Sequence, residues 1–226
     1  MSAKKRRGIC GYCGNHRNLT RDHLPPKLLL EKPYPMNLRT VPSCYPCNQS
    51  FKADDEYTRT VLALDFRAAE NSAAQSKVAA VLRSLQNPEG RGFAEYLARQ
   101  ATRSLVLGPN GQPMAEVIEP VRKRIDATGA RIIRGLYFLE MGRPLPKDAT
   151  LKVASRTGLT PKDPDMITIA RTLQALKDHR DGAVGTAFSY LAGIGPGISF
   201  WVLMLYDYFF WAATIDERAV SEREAS

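Results

Sequence analysis

Histidine and cysteine are both scarce in this 226-residue chain, with three of the first and four of the second. All four cysteines lie in the first forty-seven residues, so no disulfide framework can span the rest of the molecule. The basic start, Met1 to Gly8, has no apolar stretch behind it, which excludes a secretory signal of the usual kind. A cytoplasmic, reducing location is therefore expected, and there paired cysteines are read as metal ligands before disulfides. Long hydrophobic runs are absent but for Ile198 to Ile215. Asp207 interrupts that run, and its aromatic and β-branched content points to buried strands rather than a membrane span. No internal repeat is visible. No phosphate loop is present either: Gly193 to Gly197 is followed by an apolar strand, not by a helix opening with Lys-Ser/Thr, and reads as a hairpin turn.

What is present is a folded composition, 44% hydrophobic, with a net charge of +9. The charge is uneven. Residues 1–60 hold eleven Lys or Arg against five Asp or Glu, and the rest holds twenty-one against eighteen. A basic excess beside the cysteines favours a polyanionic partner, nucleic acid above all.

The fold class expected is α+β. Residues 1–8 read as a basic arm, 9–60 as a small module, 61–215 as a larger α+β accessory domain, and 216–226 as a polar tail. Leu38 to Val41 reads as a short strand, and a helix is expected to open at Asn48 to Lys52 and run on through Asp54, Asp55 and Glu56. Further helices are expected over 73–85, 93–104, 121–141 and 164–179, with a hairpin at 104–118. Strands are expected at 151–153, 186–191 and 198–215, the last folded at Asp207. Trp201, Tyr206, Tyr208, Phe209, Phe210 and Trp211 read as core or as the contacts of a homodimer. The arginines of Arg131-Ile-Ile-Arg134 read as a solvent-facing or DNA-facing side of a helix.

Cys10 and Cys13 form one CxxC pair and Cys44 and Cys47 another, thirty residues apart. Two-residue spacers let both thiolates of a pair face one ion, so the two pairs predict a tetrahedral, closed and therefore structural zinc site. Between them lie Asp22 and His23, adjacent in sequence, whose side chains leave opposite faces of an extended strand. Asn37 and Asn48 add amide groups. A carboxylate and a carbonyl oxygen, completed by water and phosphate, make a reasonable magnesium shell.

In this order, CxxC, Asp-His-x-x-Pro, Asn, CxxC-Asn and a following Lys, residues 9–57 resemble the HNH endonuclease family with its zinc-knuckle cysteines. The resemblance implies a zinc-stabilised ββα-metal module that hydrolyses phosphodiester bonds, with double-stranded DNA the expected substrate. His23 would be the general base, Asn37 would orient it, and Lys52 would contact phosphate. Asp22 and Asn48 would ligate a catalytic Mg²⁺ or Mn²⁺. Two departures are visible: Asn48 stands where many members have histidine, and Lys52 follows it by four residues rather than three. Arg17, Arg21, Lys27 and Arg39 are expected phosphate contacts as a group. The rival expectations are a zinc-knuckle nucleic-acid-binding or adaptor protein without catalysis, and an RNA-cleaving effector.

Overall fold

In the computed structural model, which describes residues 6–100, 104–107, 113–117, 120–158 and 162–218, the chain opens with a three-stranded antiparallel sheet. Its strands are β1 (Arg6–Ile9), β2 (His16–Leu24) and β3 (Arg39–Cys44), paired in that order. Two nearly continuous helices follow, α1 (Tyr45–Ser50) and α2 (Lys52–Ala63), then α3 (Ser72–Gln86) and α4 (Arg91–Gln100). Asn71 caps α3 by accepting from the Ala74 N–H at 3.0 Å. A hairpin of β4 (Ser104–Leu107) and β5 (Pro113–Val117) leads to the twenty-residue α5 (Arg122–Met141). The remainder is β6 (Thr150–Thr157), α6 (Pro164–Ala175), β7 (Asp178–Val184), β8 (Phe188–Gly195), β9 (Ile198–Leu205) and β10 (Phe209–Asp216). Those five strands form one antiparallel sheet in the order β6-β10-β9-β8-β7.

Helix α5 is the spine. On one side Gly135 lets the helix approach β2 and β3 so closely that a Cβ there would lie 2.9 Å from Leu24. On another, Gly129 meets the indole of Trp211, where a Cβ would fall 2.3 Å from the ring, and the Trp211 Nε1–H donates to the Ile125 carbonyl at 3.1 Å. The strict alternation of β9 and β10 turns Trp201, Leu203, Leu205, Phe209, Trp211, Ala213 and Ile215 inward, all buried. Each such large side chain contributes about 1.5–3 kcal/mol when fully removed from water.

The helices α2, α3, α4 and α5, the β8–β10 strands and the turn at Asp207 match expectation, with boundaries moved by a few residues. Several readings need correction. Residues 6–8 of the supposed arm belong with Ile9 to strand β1, because their backbone pairs with His16 to Leu19. The helix from Pro164 ends at Ala175, since Leu176 is extended, and Asp178 to Val184 pairs instead with β8 as a polar edge strand. Helix α4 stops at Gln100, and Ser104 begins a strand. The loop of the β4–β5 hairpin and residues 219–226 of the tail lie outside the described residues. No helix among the described residues is long and apolar enough to cross a membrane.

The division at residue 60 is not a division of the packing. One hydrophobic cluster runs from Cys10, Tyr12 and Leu24 through Ile132 and Ile133 to Trp211 and Ile215. The inter-cysteine loop is also tied to later elements: the Tyr206 hydroxyl donates to the Leu29 carbonyl at 2.7 Å, and Lys77 donates to that of Leu30.

Candidate functional site

The four cysteines converge. Cys10 and Cys13 sit on the turn that follows β1, closed by the Gly14 N–H donating to the Cys10 carbonyl at 2.9 Å. Cys44 ends β3, and Cys47 lies in the first turn of α1, where Pro46 tolerates the lack of an intrahelical donor. All four Sγ atoms lie within 4.8 Å of one another, with Cys13 and Cys44 3.9 Å apart. A tetrahedral zinc with bonds of about 2.3 Å needs sulfurs about 3.8 Å apart, so the set fits one such ion. Burial would raise the Cys10 pKa, but backbone N–H groups of Cys44, Cys13 and Tyr12 outweigh it and bring it to about 7. Burial and the neighbouring thiols push Cys47 the other way. A dication removes that mutual repulsion, and a closed thiolate shell leaves it no open position for chemistry.

Beside this cluster, on the face of β2 that α5 covers, lies a buried ionic set. Asp22 pairs with Val41 in register and is 7% exposed. Its Oδ2 accepts from the Tyr12 hydroxyl at 2.8 Å, and its Oδ1 accepts from Arg131 Nη2. The other arm of the guanidinium, Nη1, donates to Asp55 of α2. Phe51 lies over the Arg131 guanidinium, 5.1 Å from its ring centre, and packs edge-on against Tyr12. The set therefore holds two carboxylates and one cation. Arg131 stays charged, because Asp55, Tyr12 and Asp22 outweigh the cost of its burial. Asp55 meets burial first, is only partly relieved by Arg131, and is pushed up to about 6.

This arrangement corrects the ligand role expected for Asp22. Both its oxygens already accept, and the cation they face is Arg131, whose charge would repel a divalent ion at the same place. Asn48 donates from Nδ2 to the Thr20 hydroxyl at 3.1 Å, a bond that does not involve the Oδ1 expected to face a cation. Asp22, paired with Arg131 and Tyr12, thus offers no free carboxylate oxygen to a catalytic Mg²⁺ or Mn²⁺ in this arrangement.

The Asp55 shift has a measurable consequence. A carboxyl whose pKa is higher folded than unfolded binds more protons in the folded state, so its contribution is fully present below about pH 4 and is lost as pH rises through about 6. Asp55→Asn should therefore flatten the fall in stability between pH 5 and pH 7.5 relative to the parent chain. Urea unfolding of both proteins across that range, compared as a difference so that zinc release cancels, tests this. Parallel curves would contradict it.

The other expected site residues are dispersed. His23 faces away from Asp22, opposite Thr40 on the uncovered side of the sheet. Burial and nearby Lys27 hold its pKa below the ordinary imidazole value against the opposing effect of Asp22. Asn37 does not orient it: its Nδ2 donates to the Ala183 carbonyl on β7, at 2.8 Å. Lys52 is exposed at the start of α2. Arg39 is committed to Glu140 at 2.6 Å and to the Tyr190 hydroxyl, and Lys27 stacks over Tyr34 at 4.9 Å. Asp54 pairs with Arg124 at 2.8 Å, and Glu56 with Arg59.

Arg17 and Arg21 are exposed and share the His23 face of β2. Arg6, opposite Leu19 in register, joins them from β1. Among the described residues none of these three arginines has a carboxylate partner. Sequence reasoning missed Tyr12 and Asp55 as members of this set, and its reading of Arg131 as solvent- or DNA-facing is corrected: that side chain is buried between two carboxylates. The available signal was Arg131 itself, a charge set directly beside the apolar stripe of a helix whose next two residues are buried isoleucines.

Fold and site together define an α+β protein stapled at its N-terminal sheet by four cysteines able to hold one metal ion, compatible with a zinc knuckle. Comparison with protein-family models, with curated proteins and with solved structures finds no match.

Proposed function

We propose that the protein engages nucleic acid as a zinc-stapled binding module, along the exposed face of its three-stranded sheet. The observation that carries this reading is the sorting of side chains on β2. Arg17, Arg21 and His23, with Arg6 from β1, share one open face, while Asp22 on the other face is locked to Arg131 and Tyr12. Arginines without acidic partners can neutralise backbone phosphates and release their counterions. Arg17→Ala and Arg21→Ala should each weaken binding to a duplex oligonucleotide at every sequence and lower the salt slope of log K by about 1. Unchanged slopes in folded variants would remove this face from the reading.

A second reading is HNH-type phosphodiester hydrolysis, with DNA as the substrate and RNA as the alternative. It is favoured by the order of its motif residues and by His23. The imidazole is half-exposed on the arginine face with its pKa held down, so it is neutral and able to accept a proton near pH 7. Zinc-loaded protein incubated with supercoiled plasmid in Mg²⁺, Mn²⁺ or EDTA, beside His23→Ala, separates the two. Binding without nicking, with RNA also intact, supports the module. Cation-dependent nicking that vanishes in a folded His23→Ala protein transfers the conclusion to hydrolysis.

A further inference from the structure

A cleft of about 280 Å³ lies between the start of α2 and the middle of α5, bordering the Asp22–Arg131–Asp55 set from the side of Arg134. Ser50 and Phe51 form one wall, and Thr128, Ala130, Arg131 and Arg134 the other. Asp54 and Asp55 border it too: Asp54 pairs with Arg124, while Asp55 shares Arg131 with Asp22 and leaves its Oδ1 without a hydrogen-bond donor.

Arg134 is the unusual member. The other arginines of α5 all have acceptors: Arg122 the Ser155 carbonyl, Arg124 the Asp54 carboxylate, and Arg131 two carboxylates. Arg134, half-buried in the cleft wall, has no hydrogen-bond or ion-pair partner among the described residues. Burial is the only influence on its ionisation, and the guanidinium remains charged. One turn earlier on the helix, the buried Arg131 Nε–H also lacks an acceptor. A partly desolvated cation beside an unsatisfied donor is an arrangement that an oxyanion would complete.

We propose that this cleft binds one phosphate-type oxyanion through Arg134. The cleft is slightly smaller than the ~300–1,000 Å³ of sites that enclose a whole small molecule, so it suits a single group rather than an entire ligand. Only the source of that phosphate, a nucleic-acid backbone, rests on the reading given under Proposed function; the site itself does not.

The test uses the full zinc-loaded chain. Thermal unfolding is followed while inorganic phosphate replaces chloride at constant ionic strength, with acetate as a control. A saturable rise in Tm with phosphate is expected, lost in Arg134→Gln and partly kept in Arg134→Lys. The parent chain provides the primary readout, so the result does not depend on the variants folding alike. In oligonucleotide binding, Arg134→Gln should lower the salt slope by about 1. No saturable response in the parent, or an equal response in folded Arg134→Gln, overturns the proposal. An acetate effect matching that of phosphate overturns the phosphate assignment. If phosphate binds through Arg134 while duplex and single-stranded oligonucleotides do not bind, the site stands, the nucleic-acid reading falls, and the source is a free phosphate ester.

Discussion

Replacing Arg131 with alanine should cost about 3–5 kcal/mol, the range for breaking a buried ion pair by removing one partner. The change would leave Asp22 and Asp55, 7% and 4% exposed, facing each other without a cation. Asp22 would keep the Tyr12 hydroxyl, but Asp55 would lose the guanidinium that its Oδ2 faces, with its Oδ1 already without a donor. Neutralising the set is the discriminating control. Arg131→Met combined with Asp22→Asn and Asp55→Asn removes every charge at nearly constant volume, and should recover most of the loss. If urea unfolding instead finds Arg131→Ala within 1 kcal/mol of the parent, water reaches the cluster and the buried-pair description fails.

The other large effect is expected at the cysteines. Structural zinc contributes roughly 10–16 kcal/mol in isolated finger peptides at neutral pH. A whole domain has only about 5–15 kcal/mol of net stability. Cys10→Ser or Cys44→Ser, each removing a buried ligand, should therefore abolish stoichiometric zinc and lower Tm steeply. Strong chelators should produce the same state from the parent chain. The loss should not stay local, since Cys10, Tyr12, Val41 and Cys44 belong to the same core as Ile132 and Trp211. Metal analysis after gel filtration, paired with calorimetry, decides it. A cysteine variant that keeps both its metal and its Tm would show that the thiols are not ligands.

The cysteine frame was legible in the sequence because two-residue spacing is a local constraint, and local constraints survive folding unchanged. The same holds for α5 and for the alternation of β9 and β10. What could not be read was the company of Asp22. Its motif neighbours lie within thirty residues, but its cation comes from Arg131, 109 residues away, and no spacing rule reaches that far. Asn37 and Arg39 show the same limit, since their partners Ala183 and Glu140 belong to the far part of the chain. β7 was missed for another reason: as a polar edge strand it lacks the apolar alternation that marks its neighbours.

The tether between the inter-cysteine loop and the last strands also bears on how the protein can be made. A ribosome releases Cys47, and with it the full set of thiols, long before Arg131 or Tyr206 has been synthesised. During that interval Asp22 has no guanidinium to face, and the Leu29 carbonyl has no phenol to accept from. The nascent N-terminal segment can thus capture metal early but acquires its final packing only when the C-terminal strands emerge. A fragment ending near residue 60 should remain at that halfway stage, metal-bound yet unfinished.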